Sequence, residues 1–251
     1  MQKKKTNEER TAEYFQKFNR EKILKEIIKS EKPIIFDVGA NIGQSLKQFK
    51  KLWPFSQVHC FEPQERVWEE LDNSAIQFKN DVFINKFALG EENNNSKVFY
   101  NHKEYTGLSG FLKVNLNSND SISLMEAKKN NELKEYQENF NIATLIKMTR
   151  ADQYINSKDI NKINLLKMDV QGYEPQVIKG FGDMLRNIEV VLTELNFYDF
   201  YEKSLSFYDI ERYLIPYGFR LFDISHISKN PMNGRTDWVD IIYVNKNFIN
   251  S

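Results

Sequence analysis

The chain has 251 residues, 41% of them hydrophobic, and 35 Lys and Arg balance 35 Asp and Glu. That length without internal repeats supports one sizeable α/β domain, and the balanced charge removes any global electrostatic case for a nucleic-acid partner. The single cysteine, Cys60, excludes a disulfide framework or a cysteine-rich metal site; no apolar run could span a bilayer, and the polar opening MQKKKTNEER is no signal peptide, so a cytoplasmic protein is expected.

The charged residues 6–30 carry Phe15, Phe18, Ile23, Leu24, Ile27 and Ile28 at helical spacing, so an N-terminal helical arm over 1–32, frayed at its start, should dock by a narrow apolar stripe. From Pro33 on, the texture changes to short apolar or β-branched runs: IIFDV, QVHCFE, VFINKFAL, KVFYN, INLLKMDV, EVVLTEL, FRLFDI and DIIYV. Helices are expected between them over 42–52, 65–78, 174–180 and 206–217. Strands alternating with helices argue a largely parallel sheet across a domain of 33–251. The stretch 114–147, rich in Asn, Ser, Lys and Glu, breaks that rhythm and reads as an insertion that borders a site or as a solvated loop and helix.

The first strand runs into Asp37-Val38-Gly39-Ala40-Asn41-Ile42-Gly43. In a doubly wound sheet, ligands sit beyond the carboxyl ends of strands, where a glycine turn lets backbone N–H groups approach. The G-x-G-x-x-G spacing that suits a pyrophosphate is absent, which disfavours a nicotinamide dinucleotide. A ligand with an amino-acid end fits better, because Asp37 can pair with an ammonium group while turn amides meet a carboxylate; S-adenosylmethionine has that end. The second strand ends in Glu62-Pro63, about 20 positions beyond the turn, where a carboxylate can accept both ribose hydroxyls.

The ordered motifs F-D-V-G-A-N-I-G, C-F-E-P, F-A-L-G, L-L-K-M-D-V-Q-G-Y-E and V-I-K-G-F resemble those of the FkbM-family methyltransferases over 33–244, most closely in the first motif and in 165–181. The resemblance implies a class I, Rossmann-like fold: a seven-stranded, mostly parallel sheet with helices on both faces. It also implies S-adenosylmethionine as cofactor and O-methylation of a hydroxyl, with a sugar, glycan or secondary metabolite as the favoured acceptor class. It puts the strands at Ile34, Gln57 and Val82 in one half of the sheet and those at Ile163, Glu189, Phe219 and Val239 in the other. Asp169 then lies across the crevice from Gly39, where it could orient the acceptor hydroxyl, accept its proton or touch the methionine end. The cofactor-binding candidates are Asp37, Gly39, Ala40, Asn41, Gly43, Glu62, Pro63, Phe87, Ala88 and Asp169, with Phe87 and Ala88 offered to the adenine and Phe87 equally suited to the core.

Glu194 ends the fifth strand of this order, next to Asp169, and burial would raise the pKa of at least one of the two carboxylates. With His226 after the sixth strand, they are the candidate bases. No metal-ligand spacing links the three histidines, so no metal site is expected. The run 105–111 reads as a glycine-punctuated loop near the cofactor. Residues 196–201 concentrate aromatics that suit either a sugar ring or a core under a lid, and Asp240 on the closing strand faces the acceptor side. A non-catalytic cofactor-binding module is the rival reading, and oligomeric state is unread.

Overall fold

A computed structural model describes residues 5–118 and 122–249; the frayed start expected over the first four residues, three residues of the 114–147 stretch and the last two residues lie outside the described residues. The elements in chain order are α1 (Asn7–Lys17), α2 (Arg20–Ile27), β1 (Ile34–Val38), α3 (Gln44–Leu52), β2 (Gln57–Phe61), α4 (Trp68–Ala75), β3 (Val82–Asn85), β4 (Ala88–Gly90), β5 (Asn94–Asn101), α5 (Ile122–Lys129), α6 (Leu133–Glu138), β6 (Ile142–Arg150), α7 (Ala151–Ser157), β7 (Ile163–Met168), α8 (Glu174–Phe181), β8 (Ile188–Asn196), α9 (Phe207–Leu214), β9 (Phe219–Lys229), β10 (Thr236–Asn245) and α10 (Lys246–Ile249).

The main sheet has seven strands in the order β3-β2-β1-β7-β8-β10-β9, with β10 antiparallel to both neighbours. The chain reverses direction across the sheet between β1 and β7, as the resemblance implies. Parallel strands covered on both faces need near-continuous apolar runs, and β7 is buried at all six positions. The pleat sends alternate side chains to opposite faces. Phe36 and Val38 of β1 join Leu166, Met168 and Val191 in one core layer with α8 and α9. Ile35 joins Val58, Cys60, Leu165 and Val190 in the other, under α2 and α3.

A second, three-stranded sheet of order β4-β6-β5 was not expected from the sequence. Its central strand β6 occupies 142–150, so the end of the 114–147 stretch is sheet. The rest of that stretch is not simply solvated: Val114, Leu124, Tyr136 and Phe140 bury themselves against Phe200 and Tyr201. The aromatics of 196–201 are thus largely core under this cover.

The arm starts on a capping box, Thr6 with Glu9, and restarts at Asn19, which caps α2 by accepting from the Lys22 amide. Its apolar stripe is narrower than the spacing suggests. Ile23, Leu24 and Ile28 are buried, whereas Phe15 and Phe18 stay exposed and α1 buries nothing. The Tyr14 hydroxyl, donating to Asp223 of β9 at 2.9 Å, ties α1 to the sheet edge.

Candidate active site

The turn after β1 is built by residues that accept positive φ: Gly39 at 77°, Asn41 at 47° and Gly43 at 88°. A Cβ on Gly39 would stand 2.0 Å from the Asp169 carbonyl oxygen, so only glycine lets β1 and β7 close together here. The turn amides are already engaged: Gly39 and Ala40 donate to the Phe61 carbonyl, Asn41 to Glu62 Oε2 and Gly43 to Ala40. The expected use of these amides on a ligand carboxylate finds them holding the turn to the end of β2 instead.

Asp37 is fully buried, level with Cys60 of β2 and Lys167 of β7. Lys167 Nζ lies 3.1 Å from its Oδ1, 3.0 Å from the Gly39 carbonyl oxygen and 3.9 Å from Asp169 Oδ2. Burial pushes the Asp37 carboxyl up and the Lys167 ammonium pulls it back. For Lys167 the burial cost is outweighed by the nearby carboxylates of Asp37, Asp169 and Glu62, and the ammonium stays charged. A cation does sit beside Asp37, but the protein supplies it. Sequence reasoning missed Lys167, whose signal was a charge inside the buried run L-L-K-M.

Glu62 is buried at the end of β2 and accepts one backbone hydrogen bond on each oxygen, from Asn41 at 2.9 Å and Gln64 at 2.8 Å. Burial raises its pKa against those bonds. The loop 105–111 folds over the turn through Thr106, whose hydroxyl donates to Asn41 Oδ1 at 2.9 Å and whose carbonyl accepts from Gln64 at 3.2 Å. Together these segments line a cavity walled by Gly39, Asn41, Glu62, Pro63, Gln64, Ala88, Leu89, Phe99, Thr106, Ser109, Phe111, Asp169 and Gln171. Ala88 is in the wall; Phe87 packs on Phe61 and Tyr154 in the core.

Asp169 follows β7. Its Oδ1 accepts from Gln171 Nε2 at 2.7 Å, and Gln171 Oε1 accepts from the Tyr201 hydroxyl, so the satellite core fixes the carboxylate through one intermediary. The run 196–201 was singled out for its aromatics, but the link from Tyr201 through Gln171 to Asp169 was not expected from the sequence, because it joins segments far apart in the chain. Asp169 also borders a second cavity, with Lys167, Ser45, Gln48, Thr193, Glu194, Asp240 and Arg20. Burial and then Asp169, Glu174 and Asp240 push Glu194 up to about 8. Glu174, buried at the start of α8 with Oε1 accepting from the Val170 amide and Oε2 unpartnered, is pushed by burial to about 7.

His226 is not brought to either cavity. It lies within β9, not after it, exposed and stacked on Trp238 at 4.8 Å. His59 is core, bonded to the Tyr154 hydroxyl at 2.8 Å, and His102 accepts the Glu104 and Tyr105 amides that close its own loop. Among the described residues, no three His, Cys, Asp or Glu side chains are grouped to hold a metal ion, and no helix is long and apolar enough to cross a membrane.

A strand order reversing at β1 and β7, one antiparallel strand near the far edge and a glycine turn backed by an acidic strand end define a class I methyltransferase. Residues 37–221 match the family model of the methyltransferase FkbM domain, and the chain belongs to that family, with S-adenosylmethionine as methyl donor. It is 26% identical over 180 residues to the 2-O-methyltransferase NoeI of Sinorhizobium fredii (strain NGR234), covering 71% of this chain and 70% of NoeI. It is 20% identical over 166 residues to the hexuronic acid methyltransferase AglP of Haloferax volcanii, covering 66% of this chain and 57% of AglP. The crystal structure of an FkbM methyltransferase from Methylobacillus flagellatus KT shares the fold, with a TM-score of 0.51 and 14% identity over 85% of this chain and 44% of that one.

Proposed function

We propose that the chain is an S-adenosylmethionine-dependent O-methyltransferase whose acceptor is a saccharide hydroxyl. The observation that carries this reading is the position of Asp169, shared by the two cavities. The first has the donor set for an adenosyl group. Glu62 keeps a lone pair on each oxygen for ribose hydroxyls, and Ala88, Leu89, Phe99 and Phe111 offer apolar walls for a ring. The second sets the hydroxyl, amide and carboxylate groups of Ser45, Gln48, Thr193, Glu194 and Asp240 beside apolar side chains such as Leu24 and Phe49, a mixture that suits a sugar ring. The names of NoeI and AglP, a 2-O-methyltransferase and a hexuronic acid methyltransferase, support the same class of acceptor.

S-adenosylmethionine, when bound, supplies an electrophilic methyl group and leaves as S-adenosylhomocysteine. The chain's residues supply alignment and a base. Asp169, held by Gln171, orients the acceptor hydroxyl; Glu194, its affinity for protons raised into the working range, takes the proton as the oxygen attacks. A positioned base contributes about 10²- to 10⁴-fold. Asp37 acts at a distance, fixing Lys167 and through it the Gly39 carbonyl. The balanced charge and the one buried cysteine support a cytoplasmic enzyme with no nucleic-acid partner, in which 33–251 is the methyltransferase domain, 1–32 an arm and 114–147 an insertion. Incubation with S-adenosylmethionine labelled at the methyl group and a panel of methyl glycosides should yield labelled, alkali-stable ethers. A protein that binds S-adenosylhomocysteine but labels no glycoside would be the non-catalytic module instead.

A further inference from the structure

The family model stops short of two segments that meet at the second cavity. Arg20 belongs to the arm and Asp240 to the closing strand, both outside 37–221, and Arg20 Nη1 stands 2.8 Å from Asp240 Oδ2. Arg20 Nη2 also reaches Gln48 Oε1 at 3.4 Å, so the guanidinium crosses the cavity from α2 toward α3 and β10. The arm is docked to make this possible, by Ile23, Leu24 and Ile28 in the core and by Tyr14 on Asp223. The pair is part-exposed, with side-chain exposures of 31% and 17%, and such ion pairs add little to stability. Holding the fold together is therefore a weak reason for it.

We propose that Arg20 and Asp240 form an acceptor subsite that reads the hydroxyls beside the one methylated and selects an uncharged sugar ring over a uronate. This rests on the function proposed above. A guanidinium fork donates two parallel hydrogen bonds and a carboxylate accepts two, so the pair matches a vicinal diol, in which each hydroxyl both donates and accepts. Anionic acceptors meet the wrong field. Asp169, Asp240 and Glu21 line the cavity, and the other cation there, Lys167, is committed to Asp37 and the Gly39 carbonyl. The selected class is a neutral hexoside or deoxyhexoside, unlike the acid named for AglP.

The test uses the full chain, labelled S-adenosylmethionine and paired methyl glycosides of neutral hexoses and of the matching hexuronic acids. The wild-type protein should prefer the neutral partner by about tenfold or more in kcat/KM. Arg20→Ala should raise the acceptor KM by about ten- to a hundredfold, the worth of charged hydrogen bonds, while S-adenosylhomocysteine affinity by calorimetry is retained. Arg20→Lys should recover only part of the loss, because it keeps the charge and not the fork. Asp240→Asn should narrow the gap between neutral and acidic acceptors, a change that loss of packing would not produce. If Arg20→Ala binds no S-adenosylhomocysteine, Arg20→Lys and Asp240→Asn carry the test. Glycoside methylation that is unaffected by these variants, or that favours uronates, overturns the subsite alone. A wild-type protein that binds S-adenosylhomocysteine and methylates no glycoside overturns the function and the subsite with it.

Discussion

Replacing Glu194 by Gln should stabilise the protein at high pH while abolishing most of its activity. The carboxyl's pKa is pushed from 4.5 to about 8, first by burial and then by Asp169, Glu174 and Asp240. The folded state therefore keeps a proton that the unfolded chain has lost. For a group whose folded pKa is raised, the stabilisation is complete below the unfolded value and is lost as pH rises through the folded one. Holding that proton from 4.5 up to about 8 sets a ceiling of about 5 kcal/mol. Glu194 lines a cavity and is only half-buried, so the effective dielectric is well above that of a dry interior and about 2 kcal/mol is the expected share. Gln cannot ionise, is close in shape and can still accept from Asn196, which donates to Glu194 Oε1 at 2.9 Å. Urea denaturation at steps from pH 5 to pH 9 should show the variant gaining about 2 kcal/mol on the wild type across that window, about 4–8 °C in Tm for a chain of this size. A smaller slope should remain in the variant, because burial pushes Glu174 up to about 7. Wild-type turnover should rise with pH toward 8 and the variant's should be flat and at least about a hundredfold lower. Parallel stability curves for the two proteins would refute the burial argument, and a variant with wild-type turnover would refute Glu194 as base.

Gly39→Ala combines a left-handed backbone, costing about 1–2 kcal/mol for an L-residue, with a Cβ 2.0 Å from a backbone oxygen that cannot rotate away; it should lower the urea midpoint and S-adenosylhomocysteine affinity together, and an unchanged affinity would show that the turn does not shape the first cavity. Lys167→Met should cost about 3–5 kcal/mol by leaving Asp37 buried without its cation, and adding Asp37→Asn should recover most of that in a double-mutant cycle; additive losses would mean the pair is not coupled. Asp169→Asn should keep S-adenosylhomocysteine binding in calorimetry and slow transfer by about a hundredfold, whereas a loss of binding would make Asp169 a cofactor ligand first.

The order of the main sheet was legible because its strands announce themselves locally. Apolar runs such as I-N-L-L-K-M are what a strand covered on both faces must be, and the turn glycines mark the switch. The second sheet was not. β4 has three residues, and β6 lies in I-A-T-L-I-K-M-T-R, whose Ile142 and Leu145 remain exposed and whose partners on β5 lie 41 to 54 positions away. Neither periodicity nor local chemistry marks such a strand; its pairing does.

The site divides along the same line. Residues at strand ends, Glu62, Asp169 and Glu194, could be placed from sequence because the fold fixes where a strand ends. What they touch could not, since each contact joins distant segments: Asp37 to Lys167 across β1 and β7, Asp169 to Tyr201 through Gln171, Asp240 to Arg20 in the arm. Asp37 makes the point most sharply. An acidic residue just before the glycine turn invites pairing with a ligand's ammonium, yet in the folded chain it has no access to the cavity and a lysine on the neighbouring strand lies beside it. A carboxylate sealed at the centre of a parallel sheet must have a partner from the protein, so the turn's acidity supports the architecture of the crevice, and Glu62 and Asp169 are the carboxylates of these that line the cavity.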